Sequence, residues 1–528
     1  MSTLRTHLSI LQDTAAKYPL SPVLKTPQDG TAEIAWDTIT FSAFQRDVEL
    51  CARYWADRLQ KQGTNQRSVV GVWLKGVSYL DVLHMWGLAR AGYIPQFISL
   101  RMTDPSVVYQ LLDDADAVAL IHDIDYESIL EACPLQTYPA VDFLTDPNLE
   151  SQSLPALWKP EDPEDITMVY HTSGSTSGIP KLVPLTARWL DSMIEKTGHT
   201  SEIRRASQGQ QVEVAIGSFS HIGSNLFLVD AINRGGCLIL PTGIPYPTAE
   251  LRQMVKQEGL NMLNMFPTFL SKVFSEARCD QSLLTILQQL DCISIAGLAI
   301  DPSDDSWARA NGLRLINFFG STEVGCMLVD HGNAAPCLTP LPGTVYEFRP
   351  LEDGLNADEQ LLELVVPPES PDCPVKSLRG PDGKFYTGDL FVEAGPGQYL
   401  PRGRHDNWIK METALRCDTG SIEADAMKSC GDDLIDAVVV VGVGRPSPTM
   451  IVEPKAGVES DEIHLKREIL ERIAPFHQRR YVHERIDDAR YIMVVPSGTL
   501  PRTATKGNIR RTEVEKTLKS ELDGIYAI

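Results

Sequence analysis

The 528-residue sequence predicts an α/β protein: a large N-terminal domain of two α/β lobes with parallel sheets and a β-rich subdomain, followed by a small α+β C-terminal domain. Three observations predict this class. Short β-rich runs alternate with helical patterns through the first half of the chain. β-prone runs, glycines and prolines then dominate residues 351–400. A last segment of about 120 residues follows, which is long enough to form a domain.

The first lobe begins with a helix. From Phe41 onward, apolar residues recur every three or four positions, which is typical of an amphipathic helix. Short β-rich runs follow at 68–74, 93–100 and 117–123, with a helical pattern at 78–92 between the first two. Because strands alternate with helices, we expect a parallel sheet flanked by helices.

The second lobe repeats this pattern. Strand candidates at 213–219 and 237–241 are separated by a helix candidate at 224–236. Further along, β-prone runs at 361–367 and 384–390 indicate the β-rich subdomain.

A polar stretch at 401–408, "PRGRHDNW", separates this part from a last segment with a strand candidate at 434–443 and helix candidates after Asp461. The shift in composition predicts an N-terminal domain at 1–403 and a C-terminal domain at 404–528.

Charge and composition exclude several classes of protein. A net charge of −22 repels a phosphate backbone, so we expect no nucleic-acid partner. No run of about 18 apolar residues is present, so we expect no membrane span, and the N-terminus lacks the apolar stretch of a secretion signal. Ten cysteines form no CxxC pair and no Cys/His cluster, which disfavours zinc and disulfides. We therefore expect a soluble, cytosolic protein with reduced cysteines.

The stretch at 171–181, "HTSGSTSGIPK", follows the apolar run at 166–170. Glycines let the backbone approach a ligand, and hydroxyl, N–H and lysine groups can bind phosphate oxygens. The pattern is not a Walker loop, because G-x-x-x-x-G-K-[ST] is absent. From these residues alone, a phosphate loop and a Ser/Gly surface linker are equally good interpretations.

This stretch resembles the phosphate loop of the adenylate-forming enzymes, the superfamily of acyl-CoA synthetases, luciferases and peptide-synthetase adenylation domains. The usual pattern is T-S-G-[ST]-T-G-x-P-K, and this chain has one additional residue, Ser177. The resemblance implies that the loop binds ATP phosphates. Its candidate binding residues are Thr172, Ser173, Gly174, Ser175, Thr176, Gly178 and Lys181.

The segment at 317–325, "NFFGSTEVG", resembles the N-x-Y-G-x-T-E motif of the same superfamily. The resemblance implies that Thr322 contacts the α-phosphate and that Glu323 holds Mg²⁺, for which an oxygen ligand is suitable. The other nucleotide-binding candidates in this motif are Asn317, Phe319, where a tyrosine is usual, and Gly320.

Two later segments resemble motifs that bind the ribose and form the hinge. In "YTGDL" (386–390), Asp389 is implied to accept hydrogen bonds from both ribose hydroxyls. In "GRHDNWIK" (403–410), Arg404 is implied to reach the ribose, and Asp406 to be the hinge about which a mobile C-terminal domain rotates between two half-reactions.

The segment at 500–511, "LPRTATKGNIRR", resembles the loop that carries the catalytic lysine, usually P-x-T-x-x-G-K-I. Here Lys506 precedes Gly507 rather than following it. We favour Lys506 as the catalytic lysine over a solvated surface lysine, because the reaction needs a positive charge between carboxylate and phosphate.

The chain looks most similar to the adenylation domains of fungal adenylate-forming reductases. The resemblance implies ATP- and Mg²⁺-dependent formation of an acyl-adenylate, release of pyrophosphate, and transfer of the acyl group to the phosphopantetheine thiol of a carrier domain, with a reductase domain downstream. The sequence contains no G-G-[HD]-S carrier motif and no Gly-rich dinucleotide fingerprint. We therefore expect one module of a larger carboxylate reductase.

The segment at 218–225, "SFSHIGSN", occupies the position of the "FDxS" segment of amino-acid-activating relatives. No carboxylate is present there, which disfavours a substrate with a buried ammonium. His221 is either a structural histidine or, by resemblance to the H-x-x-G segment of acyl and aryl ligases, a gate beside the acyl pocket. Since the other segments of this pocket are uncharged, we expect an apolar acid, aromatic before aliphatic. The implied pocket residues are His221, Asn225, Phe266, Ala296, Gly297 and Gly325.

Four alternatives remain open at this stage. A free-standing aryl- or acyl-CoA ligase and an amino-acid-activating domain share the chemistry. A phosphotransferase would release ADP instead of AMP and pyrophosphate. A catalytically inactive relative would serve as an interaction module. The additional Ser177 and the displaced Lys506 favour this interpretation, and the intact residues Thr322, Glu323, Asp389 and Arg404 disfavour it.

Overall fold

A computed structural model gives the arrangement of the chain, which divides into two compact units. One unit comprises 1–100, 109–171 and 182–403, and the other 101–108, 172–181 and 404–528. The residues that the structure describes are 4–28, 34–102, 104–172, 180–204, 209–297, 300–332, 337–350, 360, 362–404, 408–413, 415–458, 461–502 and 509–526.

The first half of the chain alternates strands and helices. The elements are α1 (His7–Lys17), β1 (Pro22–Pro27), β2 (Trp36–Thr40), α2 (Phe41–Lys61), β3 (Val69–Trp73), α3 (Tyr79–Arg90), β4 (Ile94–Phe97), α4 (Pro105–Asp114), β5 (Ala119–His122), β6 (Gln136–Pro139), β7 (Ile166–Thr172), β8 (Lys181–Thr186), α5 (Ala187–Ile203), β9 (Val212–Val214), α6 (Ile222–Arg234), β10 (Cys237–Ile239), α7 (Thr248–Gln257), β11 (Met262–Asn264), α8 (Pro267–Cys279), α9 (Gln281–Gln288), β12 (Cys292–Ala296), α10 (Pro302–Ala310), β13 (Leu315–Ser321), β14 (Gly325–Val329) and β15 (Thr339–Pro340).

Strands then dominate, followed by a mixed C-terminal segment. These elements are β16 (Glu347–Pro350), β17 (Leu362–Val366), β18 (Phe385–Gly395), β19 (Gln398–Arg404), β20 (Trp408–Lys410), β21 (Arg416–Asp418), α11 (Thr419–Cys430), β22 (Ile435–Val441), β23 (Thr449–Pro454), α12 (Glu462–His477), β24 (Ile492–Val494), α13 (Arg511–Thr517) and α14 (Lys519–Tyr526).

The predicted amphipathic helix is α2. The Thr40 hydroxyl caps it by accepting a hydrogen bond from the Ala43 N–H. The apolar residues that predicted the helix all lie on its buried face, so burial of one stripe stabilises it. They are Phe41, Phe44, Val48, Cys51, Trp55 and Leu59.

Two large sheets confirm the predicted α/β class. The first has six strands in the order β6-β5-β3-β4-β7-β8, and β3 runs parallel to both neighbours. The second has nine strands in the order β15-β14-β13-β12-β11-β9-β10-β1-β2, of which those from β13 to β1 are parallel. Neighbouring parallel strands end at the same edge of the sheet, where the following loops meet.

The strand predicted at 213–219 is shorter in the structure, because β9 ends at Val214. Beyond it the chain pairs with the loop that follows β3. The Phe219 N–H donates to the Gly76 carbonyl (2.7 Å), and the Ser218 hydroxyl donates to the Lys75 carbonyl (2.6 Å). These bonds replace the sheet ladder.

The remaining sheets match the predicted β-rich subdomain and α+β segment. Strands β16 to β19 form a four-stranded sheet in which β17 is antiparallel to both neighbours, and β22, β23 and β24 form a three-stranded sheet. The latter sheet and α12 bury an apolar cluster of their own, which includes Ile435, Met450 and Ile469. Among the described helices, none combines the length and the apolar character needed to cross a membrane.

Candidate active site

The structure brings several predicted site residues together at the carboxyl edge of the nine-stranded sheet. His221 caps the helix that follows β9, and Phe266 immediately precedes the helix that follows β11. Ala296 ends β12, directly opposite Phe318 on β13, and Gly297 follows it. Because these strands are parallel neighbours, the residues that follow them share one edge of the sheet.

Thr322 and Glu323 lie in the turn between β13 and β14, and both are half-buried. The strands pair on both sides of the turn, with Ser321 opposite Gly325. Gly325 has a φ of 71°, a left-handed conformation that favours glycine. The turn therefore projects Thr322 and Glu323 beyond the edge of the sheet.

Side chains of helix α5 contact this turn and the start of β14. The Trp189 indole Nε1 donates to the Glu323 carbonyl (3.0 Å), and the Lys196 ammonium donates to the Cys326 carbonyl (2.6 Å). Met193 packs against Gly325, where an added Cβ would lie 2.3 Å from its Sδ. The spacing of Trp189, Met193 and Lys196 places them on one helix face. This contact could not be predicted from the sequence, since the same spacing is typical of any buried helix stripe.

Lys196 is itself buried and paired. Its ammonium contacts the Asp372 carboxylate (2.6 Å) and the Tyr346 hydroxyl (3.1 Å). Burial and the neighbouring Asp372 carboxylate raise the pKa of Tyr346. These bonds connect α5 and β14 to the segment that precedes β18.

The residues present fit a magnesium ion bound mainly by substrate. The contact with Trp189 uses the backbone of Glu323 and not its carboxylate. No cluster of three or more His, Cys, Asp or Glu side chains that could hold a metal is found within the described ranges. Mg²⁺ in nucleotide sites typically has one or two protein carboxylates, with phosphate and water oxygens as its other ligands. Glu323 alone would be sufficient for that arrangement.

His221 lies close to a second histidine, His171. The Nδ1 atom of His221 accepts a hydrogen bond from the Gly223 N–H (3.2 Å), so the ring caps α6. The Nε2 atom of His171 accepts a hydrogen bond from the Ser99 N–H (3.1 Å). Desolvation, together with the nearby His221, lowers the pKa of His171 to about 4. The cap is a structural role for His221, and its role as a gate stays a prediction.

Asn225 lies one turn further along α6 and is buried. Its Nδ2 donates to the Tyr170 hydroxyl (2.6 Å) and lies 4.0 Å from the Met168 sulfur. Both partners belong to β7, so Asn225 faces the six-stranded sheet. Its role in the substrate pocket stays a prediction.

Asp389, the predicted ribose ligand, is buried on β18. Its backbone N–H donates to the Thr387 hydroxyl (3.0 Å). Phe319, a predicted nucleotide residue, packs edge-on against Phe391 at 5.1 Å. Because Phe391 follows Asp389 by two residues on the same strand, this contact joins the two predicted nucleotide-binding segments. Asn317 lies on β13 with Phe319, and Gly320 lies opposite Cys326.

The other predicted site residues lie at the ends of strands or outside the described residues. Thr172 ends β7, Lys181 begins β8 and is exposed, and Arg404 ends β19. Those outside the described residues are Ser173, Gly174, Ser175, Thr176 and Gly178 of the loop, the hinge candidate Asp406 and the lysine candidate Lys506.

Two family models match the chain. Residues 11–348 match the AMP-binding enzyme model, and residues 406–528 match the AMP-binding enzyme C-terminal domain.

Among curated proteins, the AMP-binding domain-containing enzyme iboA of Amanita muscaria is 33% identical over 516 residues, which cover 94% of this chain and 98% of that protein. The adenylate-forming reductase stbB of Stachybotrys bisbyi is 24% identical, covering 93% of this chain but only 46% of that protein. The 4-hydroxybenzoate--CoA/benzoate--CoA ligase of Rhodopseudomonas palustris is 23% identical, covering 86% and 88%. The chain therefore spans nearly the whole of the first relative and about half of the second.

Solved structures show the same fold at low identity. The amide bond synthetase McbA from Marinactinospora thermotolerans matches with a TM-score of 0.72 and 17% identity, over 97% of this chain and 99% of that one. The o-succinylbenzoate CoA synthetase MenE from Bacillus subtilis matches with a TM-score of 0.71 and 15% identity, over 97% and 98%.

Proposed function

The chain belongs to the AMP-binding enzyme family and is an adenylate-forming ligase, and on that premise we propose that it activates a carboxylic acid at the carboxyl edge of its nine-stranded sheet. A carboxylate oxygen attacks the α-phosphorus of ATP and displaces pyrophosphate. The products of this step are an acyl-adenylate and pyrophosphate, not ADP.

Two anions approach each other in this step, so the site must supply positive charge and fixed dipoles. Mg²⁺ bound to Glu323 would offset the charge that develops on the leaving pyrophosphate. We propose that Thr322 donates a hydrogen bond to the α-phosphate, that Asp389 and Arg404 bind the ribose, and that Lys506 neutralises the reacting carboxylate and phosphate.

One observation carries this proposal. Helix α5 contacts the turn that bears Thr322 and Glu323, and this turn lies at the same carboxyl edge of the sheet as Ala296 and Gly297 at the end of β12. A nucleotide phosphate on the turn and an acid carboxylate beside β12 would therefore be neighbours. Holding two reactants in such a geometry can supply most of the acceleration of a transfer reaction.

The acid is proposed to have an apolar, preferably aromatic, body. Ala296 packs in an apolar cluster that includes Phe318 and Cys326. Similarity to the 4-hydroxybenzoate--CoA/benzoate--CoA ligase of Rhodopseudomonas palustris supports the same class of acid.

The acyl acceptor is proposed to be the phosphopantetheine thiol of a carrier domain, with a reductase domain downstream and Asp406 as the hinge between half-reactions. Similarity to the reductase stbB over about half of that protein supports this acceptor. Coenzyme A is the second candidate, because the chain also spans 98% of iboA and 88% of a CoA ligase. We propose a cytosolic location, in which cysteines are kept reduced.

ATP–pyrophosphate exchange tests the proposal across benzoic, cinnamic, phenylpyruvic, fatty and amino acids. We expect exchange with an aryl acid. Exchange with an amino acid alone would keep the chemistry but contradict the proposed acid class, and no exchange with any acid would favour the inactive relative. Thioester formation with coenzyme A, compared with a carrier domain supplied in trans, would then identify the acceptor.

The assignment of Lys506 has its own test. Lys506→Ala is expected to slow adenylate formation by roughly 100-fold, because one charge at the reacting atoms is lost. Lys516→Ala, an exposed lysine on α13, is the matched control. Adenylate formation at the parental rate in the Lys506 variant would show that the lysine role is wrong.

A further inference from the structure

Lys196, on α5, forms a buried ion pair close to the turn between β13 and β14. Its side chain is 3% exposed, that of Asp372 is fully buried, and the ammonium and the carboxylate are 2.6 Å apart. Replacing a buried ion pair by apolar side chains of similar size is often neutral or stabilising, because both charges lose their hydration on burial. Stability alone therefore gives little reason to bury these two charges.

All three N–H groups of the Lys196 ammonium have an acceptor. Besides Asp372, they donate to the Cys326 carbonyl (2.6 Å) and to the Tyr346 hydroxyl (3.1 Å). The Tyr346 hydroxyl in turn donates to the Asp372 carboxylate. A lysine has only three donors and a long, flexible side chain, so three fixed acceptors hold the ammonium in a single position.

The carboxylate that holds the ammonium is itself fixed. Asp372 Oδ1 accepts a hydrogen bond from the Ser370 hydroxyl (2.5 Å). The guanidinium of Arg188, about two turns before Lys196 on α5, donates to three backbone carbonyls of the segment 370–373 (2.8, 3.1 and 3.3 Å). This segment is therefore bound to α5 at a second point that does not involve Lys196.

Helix α5 holds the turn between β13 and β14 on both sides of Gly325. Trp189 binds the Glu323 carbonyl before the glycine (3.0 Å), and Lys196 binds the Cys326 carbonyl after it (2.6 Å). Glycine has more backbone freedom than any other residue, so the position of the turn depends on what binds the carbonyls around it. The bond from Lys196 is thus one of two that fix the turn to the helix.

The ion pair also joins the turn to the strands that carry Asp389. The segment 370–373 lies between β17 and β18, which pair with each other, and Asp389 lies on β18. Val324 of the turn belongs to the same apolar cluster as Leu364 on β17 and Phe391 on β18. The ion pair and this cluster therefore fix the turn, which we propose binds phosphate and Mg²⁺, relative to the strand that we propose binds ribose.

We propose that Lys196 is a positioning residue for adenylation, with Asp372 as its anchor. Through the Cys326 carbonyl it holds the turn so that Thr322 and Glu323 meet the reacting phosphates. The inference rests on the proposed function and adds to it a residue that acts through the backbone of the turn. A displacement of reacting groups by about 1 Å can cost on the order of 100-fold in rate, so a bond that fixes the turn affects catalysis without contacting the substrate.

The test compares two lysines that have the same kinds of partner. Lys196→Met keeps the length of the side chain but removes the ammonium. Lys25→Met is the matched control, because Lys25 on β1 also donates to a carbonyl and a carboxylate, both of Glu258 (2.9 Å each). Each substitution leaves a largely buried carboxylate without its cation, so both are expected to lower the melting temperature.

Only Lys196→Met is expected to change catalysis. At a temperature at which all the proteins are folded, we expect kcat for ATP–pyrophosphate exchange to fall by roughly 10- to 100-fold, with the KM for ATP changed by less than about threefold. The magnesium concentration for half-maximal exchange should rise by roughly three- to tenfold, because Glu323, the proposed ligand, lies on this turn. Lys25→Met should leave all three values at the parental level.

A Lys196→Met protein with a lowered melting temperature but a parental kcat and magnesium requirement would overturn the inference and leave the proposed function intact. No exchange by the parental chain with any acid would overturn both. Tyr346→Phe replaces Lys196→Met if that protein does not fold, since it removes only the hydroxyl that binds Lys196 and keeps the ring in its apolar cluster. We expect kcat to fall by roughly two- to fivefold in this variant with a parental KM for ATP, and a parental kcat would overturn the inference.

Discussion

The indole of Trp189 fixes Glu323 through its backbone carbonyl, and we propose that the Glu323 carboxylate binds Mg²⁺. Glu323→Gln keeps the shape of the side chain but removes its charge. We expect the rate of pyrophosphate exchange to fall by about 100-fold and the magnesium requirement to rise, because a neutral amide is a weaker ligand for Mg²⁺. Exchange rates measured across a magnesium titration would check both effects, and a parental titration curve would contradict the assignment.

Asp389 is predicted to bind both ribose hydroxyls through one carboxylate. Asp389→Asn is expected to raise the KM for ATP by roughly 10- to 100-fold, since hydrogen bonds to a charged group are worth about 1.5–3 kcal/mol. The exposed Asp382 near the start of the same strand provides a matched control, Asp382→Asn. Unaltered apparent affinity for ATP in the Asp389 variant would rule out the ribose role.

Helix α5 determines where the turn between β13 and β14 lies. Trp189→Phe keeps the ring in the core but removes the N–H that binds the Glu323 carbonyl. We expect kcat to fall by roughly three- to tenfold with little change in the KM for ATP, because a turn held less firmly weakens transition-state contacts more than ground-state binding.

Trp307→Phe on α10 is the matched control for Trp189→Phe. Trp307 packs against Phe274 at 5.2 Å, away from the turn. A loss of thermal stability with unchanged kcat in the Trp189 variant would mean that α5 supports only the fold.

Elements could be predicted well from the sequence where the apolar pattern repeats over many residues, as in α2. They were predicted poorly where tertiary contacts replace the hydrogen bonds between strands. The strand expected at 213–219 ends at Val214 because Ser218 and Phe219 bond to the loop after β3. The role of α5 was not predictable, since the residues that hold the turn follow the same period as a buried stripe.

At the scale of the whole molecule, buried neutral histidines make stability depend on pH. Burial lowers the pKa of His7 and His84 to about 4, and desolvation lowers that of His171 to about 4. In the unfolded chain a histidine has a pKa near 6.5, so the unfolded state binds more protons between those values. Stability is therefore complete above about pH 6.5 and decreases as pH falls toward 4.

Asp230 acts in the opposite direction, because its pKa is raised to about 6 and the folded state takes up its proton first. We expect a net loss of the order of 1–3 kcal/mol per pH unit between pH 6 and pH 5. Urea unfolding followed by tryptophan fluorescence would measure it. His84→Gln should reduce the slope, whereas His464→Gln, an exposed site, should not. A free energy of unfolding that is constant between pH 6 and pH 5 would contradict the lowered pKa values of the buried histidines.

The fold could be predicted because alternating strands and helices are local patterns. The nucleotide-binding residues were assigned from short motifs, and their roles stay predictions. The buried hydrogen-bond network around Arg204 could not be predicted from such local patterns. Arg204 contacts Glu213, Asn264 and Ser294, which are 9, 60 and 90 residues away along the chain. Only the register of β9, β11 and β12 brings these side chains to one face of the sheet.

Adenylation requires that an oxygen of the acid attack the α-phosphorus of ATP. Mass spectrometry can follow that oxygen into the nucleotide product, when the acid is labelled with ¹⁸O in its carboxylate and the acyl group is captured by hydroxylamine. We expect AMP that contains one ¹⁸O atom, together with pyrophosphate. ADP, or AMP without the label, would show that the acid does not attack the α-phosphorus.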